Sequence, residues 1–218
     1  MIRRVLGAVT TLVAWAAAPG QVDADSLAHR HWFEARTSYF HLYSCGPTQE
    51  VARLAARLEQ FREAYSILAG AQAVASPPIV VMAFPDRAAM RPFLPLYEDK
   101  PANLTAFFHR GSDQNLIVLA LSGPNAGSLQ VIFHEYTHLL LRHNQPYWPM
   151  WLTEGMAEIY ATFEVRGGHR ASIGNPIEHH VCLLEQKPLL PLQKLFAVTR
   201  DSPEYNEREH QGIFYAES

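Results

Sequence analysis

The chain reads as an α+β protein, a small mixed sheet in its first half followed by a helical lobe. Short alternating or uniformly apolar runs at 39–43, 79–84 and 116–121, bounded by turn residues, have the pattern of strands. Apolar residues recurring at three- and four-residue steps over 49–68, 128–143 and 150–163 mark amphipathic helices. Strand signals end before residue 125 and helical ones dominate after it, which divides the chain into lobes at 25–125 and 126–218.

Met1-Ile-Arg-Arg is basic and precedes an apolar run from Val5 to Ala18, the layout of a secretory signal peptide over residues 1–24. Val22-Asp-Ala24 fits cleavage before Asp25, and Ala14-Trp-Ala16 is a second option. An uncleaved anchor facing outside is the alternative; the run is short for a membrane span, so no stable span is expected after cleavage. No Cys lies near the cleavage region, which argues against a lipoprotein. The expected location is therefore secreted or periplasmic. There, Cys45 and Cys182 are free to pair, although nothing in the sequence brings them together. Eighteen Lys+Arg against 21 Asp+Glu give a net charge of −3 without a basic run, so nucleic acid is not an expected partner.

In order, His31 to Ser44 reads as a half-buried strand, with Phe40 and Leu42 opposite Tyr39, His41 and Tyr43. A helix spans Gln49 to Leu68 and ends near Gly70; Pro77 to Phe84 is an apolar strand; Asp86 caps a helix through Phe93. Thr105–His109 and Leu116–Leu121, joined by a turn at Gly111–Asn115, form a β-hairpin. Beyond Phe163, a loop or short hairpin covers 164–174. A helix covers Pro176–Gln186, with His179 and His180 at its surface or at a lobe contact. A shorter helix spans Pro188–Val198, and polar loop runs from Thr199 to Gln211. Gly212 to Ser218 begins a helical pattern without a terminator, so the helical lobe reads as incomplete, the chain as cut short or part of something longer.

The chemistry concentrates in His134-Glu135-Tyr136-Thr137-His138. Residues four apart stack on one face of a helix, so His134 and His138 can grip one ion. Glu135, one position round, reaches a metal-held water without being a ligand, which is the mechanical content of the zinc-peptidase pattern H-E-x-x-H. A catalytic zinc needs a third protein ligand. The continuation H-x-x-G-x-x-H is closed, because Leu141 and Asn144 stand where Gly and His are required and His143 is out of register. The alternative runs through a break at Asn144–Pro149 into a helix over Met150–Phe163. If the two helices fold back antiparallel, a rise of about 1.5 Å per residue sets Glu154 level with His138 and Glu158 level with His134. Glu154 is then the third ligand and Glu158 the carboxylate that orients His134. Gly155, costly within a helix, fits a close approach of the two helices.

His134-Glu-x-x-His138 followed by Trp151-Leu-Thr-Glu-Gly-Met-Ala-Glu158 resembles the gluzincin zinc metallopeptidases, and more closely their peptidase-MA-like members related to aminopeptidase-N-like enzymes. The resemblance implies a thermolysin-like catalytic core and one Zn2+ per chain on His134, His138 and Glu154. It also implies hydrolysis of a peptide or protein substrate with Glu135 as general base. It places an edge strand over the cleft, for which the hairpin at 105–121 is the candidate, a plain core hairpin being the other reading. Tyr205, His210 and Tyr215 are available to stabilise the oxyanion; the resemblance of Phe214–Ser218 to the family's tyrosine-bearing helix favours Tyr215. The rival function is a secreted metal-binding interaction module derived from a peptidase and catalytically inactive.

Overall fold

The structure, a computed structural model, describes residues 2–4, 27–70, 79–97, 100–102, 104–111, 113–123, 125–144, 148–167, 170–205 and 212–218. The chain is α+β. Its fold divides into two compact units, one of residues 1–63 and 75–132, the other of residues 64–74 and 133–218. The boundary thus falls inside the long helix expected to open the second lobe. The apolar leader run and both cleavage options lie outside the described residues.

Through the first unit the elements are β1 (Ile2–Arg4), β2 (Phe33–Arg36), β3 (Phe40–Ser44), α1 (Thr48–Ala69), β4 (Ile79–Phe84), α2 (Arg87–Met90), β5 (Leu96–Tyr97), β6 (Lys100–Pro101), β7 (Ala106–Arg110), β8 (Asn115–Ala120) and α3 (Asn125–Asn144). Six strands form one mixed sheet in the order β1-β2-β3-β4-β8-β7. β3, β4 and β8 run parallel, and β1, β2 and β7 join antiparallel. Every residue of the central β4 is buried, which explains its unbroken Ile-Val-Val-Met-Ala-Phe sequence: a strand covered on both faces has no polar side to show. On one face Val80, Met82 and Phe84 meet Trp32, Met90, Leu94 and Val118. At β3, the Tyr39 N–H donates to Glu59 Oε1 at 3.1 Å and the Arg62 guanidinium lies 3.6 Å from the Tyr39 ring centre, tying α1 to the sheet. The buried Val51, Leu54, Leu58 and Phe61 are the apolar stripe that the helical spacing predicts.

The expected strand over 31–44 is two strands with a turn between them, because Thr37 Oγ1 accepts the Phe40 N–H at 3.1 Å and reverses the chain. Asp86 caps as expected, accepting the Ala89 N–H at 2.8 Å, but the α-helix stops at Met90 and continues as a 3₁₀ turn over Arg91–Phe93. Pro92 has no N–H to give to the preceding turn. The β7–β8 hairpin lies in the expected place, with β7 at the sheet edge. At its turn, a Cβ on Gly111 would meet the Gln114 carbonyl. Cys45 and Cys182 are free thiols.

The second unit continues α3 from Phe133 and adds α4 (Met150–Ala161), β9 (Glu164–Arg166), β10 (Arg170–Ser172), α5 (Glu178–Gln186), α6 (Leu192–Ala197) and α7 (Ile213–Glu217). Phe133 of α3 meets Phe163, just beyond α4, edge to face at 5.5 Å, and Tyr65 meets Tyr160 at 4.9 Å. Thr162 closes α4: its Oγ1 accepts the N–H groups of Gly174 and Asn175 at 2.7 and 3.1 Å, drawing the β9–β10 hairpin back onto the helix end. No helix among the described residues is long and apolar enough to cross a membrane.

Candidate metal centre

Along α3 the buried side chains of Phe133, Tyr136, Leu139 and Leu140 form a stripe at helical spacing, which leaves His134 and His138 half-buried on the adjoining flank. In α4 the buried set includes Glu154 at 3% exposure, a burial that an ionised carboxylate tolerates only with partners. The histidines are those partners. His138 Nε2 lies 3.1 Å from His134 Nε2 and 3.1 Å from Glu154 Oε2, and His134 Nε2 lies 3.4 Å from the same oxygen. On the other side of its ring, His134 Nδ1 donates to Glu158 Oε1 at 3.2 Å. His138 with Glu154 and His134 with Glu158 are the level pairs that an antiparallel helix pair requires.

The residues fit a divalent transition metal. A tetrahedral ion with bonds of about 2.0–2.1 Å spaces its ligands about 3.3 Å apart, and the three edges of the triangle are 3.1, 3.1 and 3.4 Å. Two imidazole nitrogens and one carboxylate oxygen converge on one point, and these atoms form the single such group found among the described residues. The Nδ1–H contact to Glu158 fixes the tautomer that leaves the His134 Nε2 lone pair for an ion. Glu135 is half-buried and stands outside the triangle. Replacing Glu158 by Gln should weaken metal binding by about 10–100-fold, the usual effect of losing a ligand's orienting partner. Glu154→Gln should weaken it more; metal titration against a competing chelator reads both.

Without an ion, a proton balances the cluster. Burial opposes a charge on His134, but hydrogen bonds to Glu154 and Glu158 outweigh it and raise its pKa to about 10. Burial likewise opposes ionisation of Glu154, yet its hydrogen bonds to the two histidines lower its pKa to about 2. For metal-free protein the signs follow from linkage. The His134 contribution is fully present below about 6.5 and is lost as the pH rises through about 10. The Glu154 contribution is present above about 4.5 and is lost as the pH falls through about 2. Metal must displace the His134 proton, so binding at neutral pH should release about one proton per ion, and affinity should increase with pH. Calorimetry in buffers of different ionisation enthalpy measures that release.

Gly155 has a different neighbour from the one expected. A Cβ there would run into the backbone carbonyl of Ser218, at the end of α7, instead of α3. Gly155→Ala should therefore destabilise the unit by roughly 1–3 kcal/mol, as overpacking does, despite alanine's better helix propensity; a denaturant midpoint tests it.

Tyr215 is 1% exposed, and its hydroxyl donates to the Tyr205 carbonyl at 3.0 Å within an apolar cluster of Leu195, Val198 and Phe214. Burial, then the Glu154 charge, pushes its pKa upward. The Tyr205 phenol is also raised, by burial first, then by the charges of Glu154 and Glu135 and a hydrogen bond to Glu154. His210 lies outside the described residues. His180, expected at the surface or at a lobe contact, is buried at 7% exposure, whereas His179 is exposed. No periodicity signals this, since Val181 and Leu184 of the same helix are the exposed ones, at 41% and 39%. No protein-family model matches the chain, and no curated protein matches it in sequence.

Proposed function

We propose that this protein is a zinc metallopeptidase of the gluzincin type, secreted or periplasmic, which hydrolyses peptide bonds with one Zn2+ held by His134, His138 and Glu154. The observation carrying this reading is the ligand triangle with Glu158 on the free side of His134. A purely structural site has no use for Glu135, the carboxylate that follows His134 in the chain and is no member of the triangle.

When bound, the ion supplies Lewis acidity and makes water a nucleophile at neutral pH. The Glu135 carboxylate takes the proton of the attacking water and delivers it to the leaving amine nitrogen. Glu158 holds the His134 ring through Nδ1, keeping its Nε2 directed at the ligand triangle. The carbonyl oxygen gains negative charge and needs a donor. Tyr205 and Tyr215 both stand in the field of Glu154 and Glu135. Tyr215 is the residue that the family resemblance implies, and to serve it must exchange its bond to the Tyr205 carbonyl for one to the substrate. Tyr215→Phe should then keep zinc and lower kcat with little change in substrate binding.

The deciding experiment is metal analysis and hydrolysis of a broad peptide library by the purified protein, beside its Glu135→Gln variant. Wild-type protein that holds zinc and cleaves nothing overturns the enzyme reading. It would favour the metal-holding interaction module, on whose side stands the Tyr215 hydroxyl already tied to a backbone carbonyl.

A further inference from the structure

A cavity of about 480 Å³ opens in the first unit, lined by Arg87, Ala88, Arg91, Leu94 and Pro101. That volume suits a small organic molecule, since ligand pockets run from about 300 to 1,000 Å³. Each part of the lining is fixed by local chemistry. Asp86 caps the turn that carries Arg87 and Ala88, and the 3₁₀ turn that follows carries Arg91. Leu94 belongs to the core cluster around Val80, Met82 and Phe84, so it gives the cavity an apolar surface anchored in that core. Pro101 lies on β6, which is held by its pairing with β5 and by the Ala102 N–H donating to the Pro95 carbonyl at 2.9 Å.

Two cations in an otherwise apolar lining select for an anion. Arg87 and Arg91 stand four residues apart, and the backbone is still helical at Arg91, with φ −49° and ψ −41°, so the two share one side of the turn. Both are exposed, and neither forms an ion pair among the described residues. Arg87 is steadied by one bond, from its Nε to the Leu104 carbonyl at 3.2 Å, which leaves its Nη groups without a partner among the described residues. No carboxylate lines the cavity among those residues.

We propose that this cavity binds a phosphate monoester with a small apolar body, the phosphate on the Arg87 and Arg91 guanidinium groups and the body against Ala88, Leu94 and Pro101. Guanidinium forks match pairs of phosphate oxygens. Two positive charges also balance a phosphate monoester, which carries nearly two negative charges at neutral pH. The lining residues belong to a different unit from His134, His138 and Glu154, and the proposal stands whether or not the protein is a peptidase.

The test is calorimetric titration of the full chain with phenyl phosphate at about 0.15 M salt, where attraction between distant exposed charges is largely screened. Wild-type protein should bind one equivalent saturably. Inorganic phosphate, which lacks the apolar body, should bind about 10-fold more weakly or worse. Arg91→Gln should weaken phenyl phosphate about 10-fold or more, the usual effect of losing hydrogen bonds to a charged group. Arg91→Lys, which keeps the charge but not the fork, should fall between. Ala88→Leu should exclude phenyl phosphate by filling the cavity. All three positions are exposed, so thermal melts of the variants should match wild type. Absence of saturable binding overturns the proposal, as does inorganic phosphate binding as tightly as phenyl phosphate. Undiminished binding in Arg91→Gln or Ala88→Leu overturns it too, and is what an anion held by a metal on His134, His138 and Glu154 would give. Benzoate binding as tightly as phenyl phosphate overturns the phosphate assignment. Binding that appears only after Glu98→Gln with Asp99→Asn would show the arginines to be taken by this chain's own carboxylates, which also overturns it.

Discussion

Glu135→Gln should leave zinc, fold and peptide binding intact and reduce turnover by about 10²–10⁴-fold, the range assigned to general acid–base catalysis. The amide is nearly the same shape as the carboxylate but cannot take a proton from the attacking water. Its position supports the expectation of retained metal, since Glu135 is no corner of the ligand triangle. Three measurements together decide the point: metal content, a thermal melt and kcat on a cleaved peptide. Loss of zinc along with activity would make Glu135 a structural or ligating group and refute its role as a base.

The second large effect is expected from His134→Ala combined with His138→Ala, which should abolish stoichiometric zinc. One carboxylate cannot hold the ion against water. The same change should also destabilise the metal-free protein. Glu154 is 3% exposed, and the two histidines are the groups that keep its carboxyl ionised against burial. Removing the partner of a buried charge typically costs about 3–5 kcal/mol. Adding Glu154→Gln to the double variant takes away the stranded charge and should restore part of that stability. Denaturant midpoints of the three proteins measure this. Stoichiometric zinc in the double variant would refute the site, and unchanged stability would show that Glu154 is ionised by some other group.

Much of the candidate metal centre was legible because it obeys local geometry. His134 and His138 stack on one face through the helical repeat alone. The short break between Asn144 and Met150 leaves little choice but a fold-back, from which the pairing of His138 with Glu154 and His134 with Glu158 follows. The strands at 40–44, 79–84 and 115–120 were legible for a similar reason, each alternating or continuously apolar as its burial demands.

Other features depended on what the chain meets far away. β1 and β2 join the sheet through pairings that local pattern does not carry, and the reversal at Thr37 is one side-chain contact inside what reads as a single strand. Gly155 announces a close approach, but whether to α3 or to Ser218 is a matter of packing. Tyr215 reads from the sequence as a catalytic phenol or a buried aromatic, and only the fold places its hydroxyl on the Tyr205 carbonyl. His180 shows the limit most clearly. Hydrophobic periodicity assumes that a helix turns its apolar side inward, whereas α5 buries a histidine and exposes Val181 and Leu184. Sequence spacing alone determined which residues share a helix face and could grip an ion. Only the tertiary structure decided which polar groups are buried, because burial depends on the neighbour that arrives and not on the segment that receives it.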